Sequence, residues 1–92
     1  MILFMQQLQS RCLYVQESSF YTKKDKDVEI QDRQAVFDND RFSYPKGISC
    51  TPFSFHYNEN GNISKAGTVH CQNGKQRKKM VFQLGMGRIR IE

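Results

Sequence analysis

The sequence predicts an α+β fold in which one long N-terminal α-helix packs on a small antiparallel β-sheet. Three observations lead there. Residues 1–21 contain neither proline nor glycine and repeat apolar residues at helical spacing; from Val28 onward, short alternating segments are separated by turn residues; and the closing run MVFQLGMGRIRIE alternates apolar with polar side chains. A chain of 92 residues holds one domain of this kind. A domain that small buries only about two-thirds of its unfolded surface, so its stability is expected to be modest.

In the first segment, Met1, Phe4, Met5, Leu8, Cys12 and Val15 fall within an arc of roughly 100° when successive residues turn by about 100°. The pattern reads as one amphipathic helix of about six turns, with Met5, Leu8, Cys12 and Val15 as its face toward the sheet. Ile2, Leu13 and Phe20 flank that arc. Leu3, Tyr14 and Tyr21 lie on the far side within roughly 20° of one another. A helix lying on one sheet does not need this second apolar line, which leaves these three as a candidate face toward a second partner.

Thr22 to Asp27, TKKDKD, is polar and ends the helix, which divides the single domain into a helical part at 1–22 and an antiparallel β part at 23–92. Val28 and Ile30 then alternate with Glu29 and Gln31. Asp32-Arg33 turns the chain into QAVF and Asp38-Asn39-Asp40 turns it into RFSY, a small meander closed by Pro45-Lys46-Gly47. A further strand over Ile48 to Tyr57 carries Phe53, Phe55 and Tyr57 on one parity, and Pro52 demotes its first half to an edge or bulge.

Asn60-Gly61 is a hairpin signal of type I′, which requires positive φ at both positions. A two-residue loop there pairs residues whose numbers sum to 121, Asn58 with Ile63 and, further out, Cys50 with Cys71. If the register survives Pro52 and Gly67, the two cysteine Cα atoms sit about 4.5 to 5.5 Å apart, within disulfide range. The alternative is two buried free thiols. Cys12, on the helix stripe, reads as a small core residue. Thr68 to Cys71 forms a strand, Gln72-Asn73-Gly74 a turn, and two closing strands flank Gly85-Met86-Gly87. Gly-x-Gly can open a phosphate-cradling loop, but that needs a third glycine and a following helix, so a turn or bulge is the better reading.

The net charge of +5 is unevenly spread. Residues 1–60 carry seven basic and eight acidic side chains, whereas residues 61–92 carry seven basic ones against Glu92 alone. Lys75, Arg77, Lys78, Lys79, Arg88 and Arg90 are the candidate contacts for DNA or another polyanion, and a solvated hairpin tip is the plain alternative. No aromatic residue lies within Lys75 to Lys79, so a base-stacking groove is not indicated. No window reaches the length of about 18 apolar residues that a membrane helix needs, and MILFM is too short for a signal-peptide core. The three cysteines lack paired C-x-x-C spacing, and His56 and His70 each sit singly in strand-like runs, so no metal site is expected. Asp25, Asp27, Asp38 and Asp40 fall in turns, and no nucleophile and base stand out as a pair. Neither an enzyme nor a cofactor is expected.

The order of these segments resembles a pseudopilin. QQLQSRCLYVQESSF followed by VEI, then FSFHYNENGNISKAGTV and KKMVFQLGMGRIRIE, is similar to the Gram-positive competence pseudopilins of the ComGD type over nearly the whole chain. The pattern is also similar to the GspH group of type II secretion minor pseudopilins. The resemblance implies a pilin-like fold and a structural role as a minor subunit of the competence pilus, a type IV-like filament that captures extracellular DNA for transformation. Its partners would be the other major and minor pseudopilins, and DNA. The location would be the cell surface, with membrane anchoring before assembly through a basic leader and an apolar helix that these 92 residues do not contain. The expectation is that they are the soluble part, with residues 1–22 the exposed half of the pilin helix. A Cys50–Cys71 bond suits an exported protein.

Overall fold

The computed structural model describes residues 1–84 and 88–92. The turn or bulge expected at Gly85-Met86-Gly87 lies outside the described residues. Helix α1 spans Ile2–Thr22, and the strands that follow are β1 (Lys26–Ile30), β2 (Gln34–Phe37), β3 (Asp40–Ser43), β4 (Ile48–Cys50), β5 (Phe53–Tyr57), β6 (Gly67–Asn73), β7 (Gln76–Phe82) and β8 (Ile89–Ile91). They form two four-stranded antiparallel sheets, ordered β3-β2-β1-β5 and β4-β6-β7-β8. The architecture is α+β, with the helix packed against two small sheets where the sequence predicts one.

The apolar stripe of α1 becomes its buried face: Phe4, Met5, Leu8, Cys12, Val15 and Ser19. Ser19 is the polar member, and its hydroxyl is satisfied by donating to the Gln16 carbonyl at 2.7 Å. The helix stops where Lys23 turns left-handed, with φ of 56°, and its N–H donates back to the Ser19 carbonyl. A lysine in that conformation costs about 1 kcal/mol more than a glycine would. Its ammonium lies 4.1 Å over the Phe20 ring, which offsets part of that cost.

Pro52 accounts for the second sheet. β1 pairs with β5, Val28 opposite Phe55, while β4 pairs with β6, Cys50 opposite Cys71. The strand expected over Ile48 to Tyr57 therefore breaks at Thr51-Pro52, because proline has no N–H to give to a ladder. The chain crosses between sheets there. Cys50 N–H donates to the Asp32 carbonyl and Thr51 N–H to the His70 carbonyl, each at 2.9 Å, so the backbone donors at the crossing are paired.

The hairpin register also departs from expectation. Of Asn60 and Gly61 only the glycine has positive φ, 78°. Gly61 N–H donates to the Asn58 carbonyl and Asn58 N–H to the Asn62 carbonyl, both at 2.9 Å. The Asn58 side-chain oxygen accepts from the N–H groups of Asn60 and Asn62. This is a three-residue loop with a glycine bulge, not a type I′ turn. One extra residue moves the pairing by one place, to Tyr57 opposite Ile63. Cys50 and Cys71 are bonded all the same, with Cα atoms 4.1 Å apart, because the β4–β6 ladder sets that pair independently of the hairpin. β1 begins at Lys26 and not at Val28, and β6 runs through Asn73, so that Gly74-Lys75 forms the β6–β7 turn.

The core lies where the helix meets the inner faces of both sheets. Val28, Ile30, Ala35 and Phe37 come from one, Val69, Met80 and Phe82 from the other, and all belong to one buried cluster with Met5, Leu8 and Cys12 of α1. At the seam between sheets, the Phe82 ring lies 5.3 Å from that of Phe53 and 5.0 Å from that of Phe55. Gly67 sits under this cluster. A Cβ there would fall 2.5 Å from the Phe53 ring, so only glycine admits the close approach.

Two stability measurements check this packing. Leu8 is fully buried, and Leu8→Ala should cost about 2 to 5 kcal/mol in urea unfolding; near-native melting would place Leu8 outside the core. The disulfide closes a loop with a sequence separation of 21, and replacing both Cys50 and Cys71 by serine should cost about 3 kcal/mol. Identical melting of that variant and the oxidised wild type would mean the β4–β6 pair holds without its bond.

Candidate functional site

Two surfaces stand out, and both follow from residues that the core does not use. The first is the outward side of α1. Leu3, Tyr14 and Tyr21 are 65%, 71% and 79% exposed, and Ile2, Leu13 and Phe20 are also exposed. With Met5, Leu8, Cys12 and Val15 facing the sheets, the two sequence-derived faces fall on opposite sides of one helix. Arg11 and Glu17 are the only charged residues in Ile2–Thr22. Large apolar side chains left in water along a helix that carries only two charges are a feature of surfaces that meet another molecule.

Part of this face continues into a groove of about 700 Å³ between α1 and the β2–β3 hairpin, with Leu3, Gln7, Tyr14, Asp40 and Phe42 among its walls. Phe42 points toward the helix because it is opposite Ala35, whose side chain is buried. The Arg11 guanidinium lies 4.2 Å over the Phe42 ring and closes one side. Asp38, in the hairpin turn, is held by Lys26 at 3.2 Å.

The second surface is the outer face of the β4-β6-β7-β8 sheet. The register separates cations that stand together in the sequence. Lys78 is opposite Cys71 and shares the parity of Met80 and Phe82, so it lies half-buried toward the inner side. Arg77 and Lys79 take the opposite parity, beside Gln72 and His70. Arg90 is opposite Val81 on that same outer face. Gln83 N–H donates to the Arg88 carbonyl at 3.0 Å, which continues the β7–β8 ladder and gives Arg88 the parity of Arg90. Lys75 sits in the turn. Of the six cations named from the sequence, the outer face gathers Arg77, Lys79, Arg88 and Arg90.

Glu92 completes that face, and sequence reading passed over it. Backbone bonds run both ways between Lys79 and Glu92, at 2.8 and 2.9 Å, placing the Glu92 side chain on the outer side. Its carboxylate lies between Lys79 Nζ, at 3.5 Å, and the Arg90 guanidinium, which donates a hydrogen bond to it. The signal was present in RIRIE, where Arg88, Arg90 and Glu92 share one parity.

The buried titratable groups are structural. Burial pushes the Cys12 thiol far above its ordinary value, so it stays neutral and unreactive. Burial likewise raises Tyr44 and Tyr57. The Tyr44 hydroxyl donates to the Gln31 carbonyl at 2.8 Å, whereas that of Tyr57 is buried without a hydrogen-bond partner among the described residues. Two hydroxyl oxygens accept from the backbones of the two histidines: His56 N–H donates to Ser64 Oγ and His70 N–H to Thr51 Oγ1, each at 3.0 Å. Among the described residues no group of three or more His, Cys, Asp or Glu is placed to hold a metal ion. No helix among them is long and apolar enough to cross a membrane.

No protein-family profile, curated protein or solved structure matches the chain.

Hydrogen bonding from Arg90, aided by the charge of Lys79, holds the Glu92 carboxyl below its ordinary value of 4.5. A lowered folded-state value means the pairing is in force above the ordinary carboxylate range and fades as pH falls through the folded value. In a titration followed by NMR, Arg90→Ala should move the Glu92 midpoint upward. An unchanged midpoint would show that Arg90 does not hold this carboxylate.

Proposed function

We propose that this chain is a structural subunit of a pilus-like filament, a minor pseudopilin of the kind that builds the competence pilus for uptake of extracellular DNA. The observation that carries the reading is the two-sided helix: Leu8 and Cys12 are fully buried against the sheets, while Leu3, Tyr14 and Tyr21 remain 65 to 79% exposed on the other side. A single helix that covers two sheets has no internal use for a second apolar line. Neighbouring helices in a filament core do.

Three further features support the reading. The helix is N-terminal and unbroken for 21 residues, as a filament-forming element would be, and it carries its antiparallel sheets on one side. The Cys50–Cys71 bond fits a protein that works in an oxidising, extracellular setting. The sequence resemblance runs through the helix, the FSFHYNENGN hairpin and the closing strands. In this reading the chain acts at the cell surface with other pseudopilins, anchored before assembly by an upstream membrane segment. Its work is assembly and not catalysis.

Tyr14 tests the assignment because it lies in the exposed line and contributes nothing to the core. Tyr14→Ala should leave the melting curve of the isolated chain within about 0.5 kcal/mol of wild type, as an exposed substitution does. In cells, the same variant should reduce filament formation and transformation. Normal filaments with normal DNA uptake would end the proposal for this face.

A further inference from the structure

The outer face of the β4-β6-β7-β8 sheet presents Arg77, Lys79, Arg88 and Arg90, and Glu92 is the acid set among them. A shallow groove of about 680 Å³ crosses this face, with Ser49, His70, Gln72, Arg77, Lys79 and Glu92 along it. Asp32 stands at its rim, ion-paired with Arg33 at 3.5 Å. We propose that this face binds the phosphate backbone of double-stranded nucleic acid, and that Glu92 is a built-in competitor that occupies the anion position between Lys79 and Arg90 until a phosphate displaces it. The proposal stands on the sheet face alone and does not depend on the filament reading.

Arg77 and Lys79 lie two residues apart on one strand, so their side chains leave the same face about 7 Å apart. Arg90 and Arg88 extend the row on the neighbouring strand. A row of cations over polar side chains such as Ser49, His70 and Gln72 suits a ligand that offers repeated anionic oxygens along a line. A phosphodiester backbone does so.

The same face lacks what other polyanionic partners would use. A membrane surface is gripped by large apolar side chains inserted beside the basic ones. Here, among the described residues, the exposed large hydrophobic ones lie on the helix, apart from Leu84, and the apolar residue of β7 on the outer side is the half-buried Val81. Single strands are held by aromatic stacking, and this row has no aromatic member. Duplex backbone is what remains, bound with little preference for sequence.

Glu92 sets the strength of that binding. Its two oxygens face Lys79 and Arg90 as two oxygens of a phosphate would. While it stays, those two cations together count for about one phosphate contact. With Arg77 and Arg88, wild type makes about three, and affinity falls roughly 40-fold between 50 and 200 mM salt. Replacing the carboxylate by an amide frees one more cation, which steepens the fall to roughly 150-fold and tightens binding at low salt.

The test uses a mixed-sequence duplex of 25 base pairs, with fluorescence anisotropy read across that salt range. Four proteins are compared after confirming equal melting: wild type, Glu92→Gln, Glu59→Gln and the double variant Arg77→Ala/Lys79→Ala. Glu59→Gln makes the same change of net charge at an exposed residue of the hairpin after β5, away from the face. The proposal expects Glu92→Gln to be steeper and tighter than both wild type and Glu59→Gln, and the double variant to retain only about a threefold salt effect. Equal curves for the two glutamine variants would overturn the role of Glu92. A double variant as steep as wild type, or retention on anionic lipid vesicles without retention on duplex, would overturn the site.

Discussion

Neither sheet can close a core without the helix. The inner face of β3-β2-β1-β5 offers Val28, Ile30, Ala35 and Phe37, and that of β4-β6-β7-β8 offers Val69, Met80 and Phe82; each is a half-layer that would face water if α1 were removed. The stripe of Met5, Leu8, Cys12 and Val15 covers both at once. One ring contact and two side-chain hydrogen bonds then fix the helix at three points along its length. Phe4 packs edge-on against Tyr44, with ring centres 5.0 Å apart; the Gln9 amide donates to the Ile89 carbonyl at 2.9 Å; and the Gln16 amide donates to the Gly61 carbonyl at 2.9 Å. These anchors reach β8 in one sheet and the hairpin after β5 in the other, so the rotation of the helix about its own axis is set. Once that rotation is set, Leu3, Tyr14 and Tyr21 have nowhere to go but outward.

The second constraint is covalent and local. The chain leaves one sheet at Cys50 and enters the other at Phe53, with only Thr51-Pro52 between. β4 is an edge strand of three residues, too short to hold its place by ladder bonds alone. The bond to Cys71 fastens it to β6, next to the buried Val69 and opposite the half-buried Lys78. Fastening β4 also fixes where β5 begins, and so where Phe53 meets Gly67 at the seam. The disulfide thus joins the two half-layers at the point where the backbone itself changes sheet.

Much of this was readable in the sequence, and the parts that were not share a cause. The helix, its inward stripe and its outward line follow from residue spacing on a rigid cylinder. Tertiary packing did not alter them. The strands were found as segments, because alternation is local, but their partners were not. Nothing local in FSFHY says that it joins β1 and not β6. The cysteine pair illustrates the difference: the expected pairing is the one formed, yet it was reasoned through a continuous hairpin that Pro52 and the bulge at Gly61 interrupt, and it arises from a separate ladder. The basic cluster shows the opposite case. Lys75, Arg77, Lys78 and Lys79 read as one patch by position, and strand parity divides them, with Lys78 turned inward and Arg77 and Lys79 joined to Arg90 from another strand. Glu92 was counted as the lone acid of its region, but its pairing was not read, because that depends on which strand lies beside it.

The placement of the two surfaces makes them compatible in one molecule. The helix occupies the inner face of the β4-β6-β7-β8 sheet, so the basic row on the outer face is turned away from α1 by the thickness of the sheet itself. A molecule that packs against its neighbours through Leu3, Tyr14 and Tyr21 would bring together helices whose only charges over Ile2–Thr22 are Arg11 and Glu17. Electrostatic repulsion between copies is then small where they touch, even though the chain as a whole carries +5. The excess charge stays on the far side of the sheet, open to solution, where repeated copies would line it up along an assembly. The exposed apolar line of the helix and the cationic row are thus kept apart by the same sheet, which supports both.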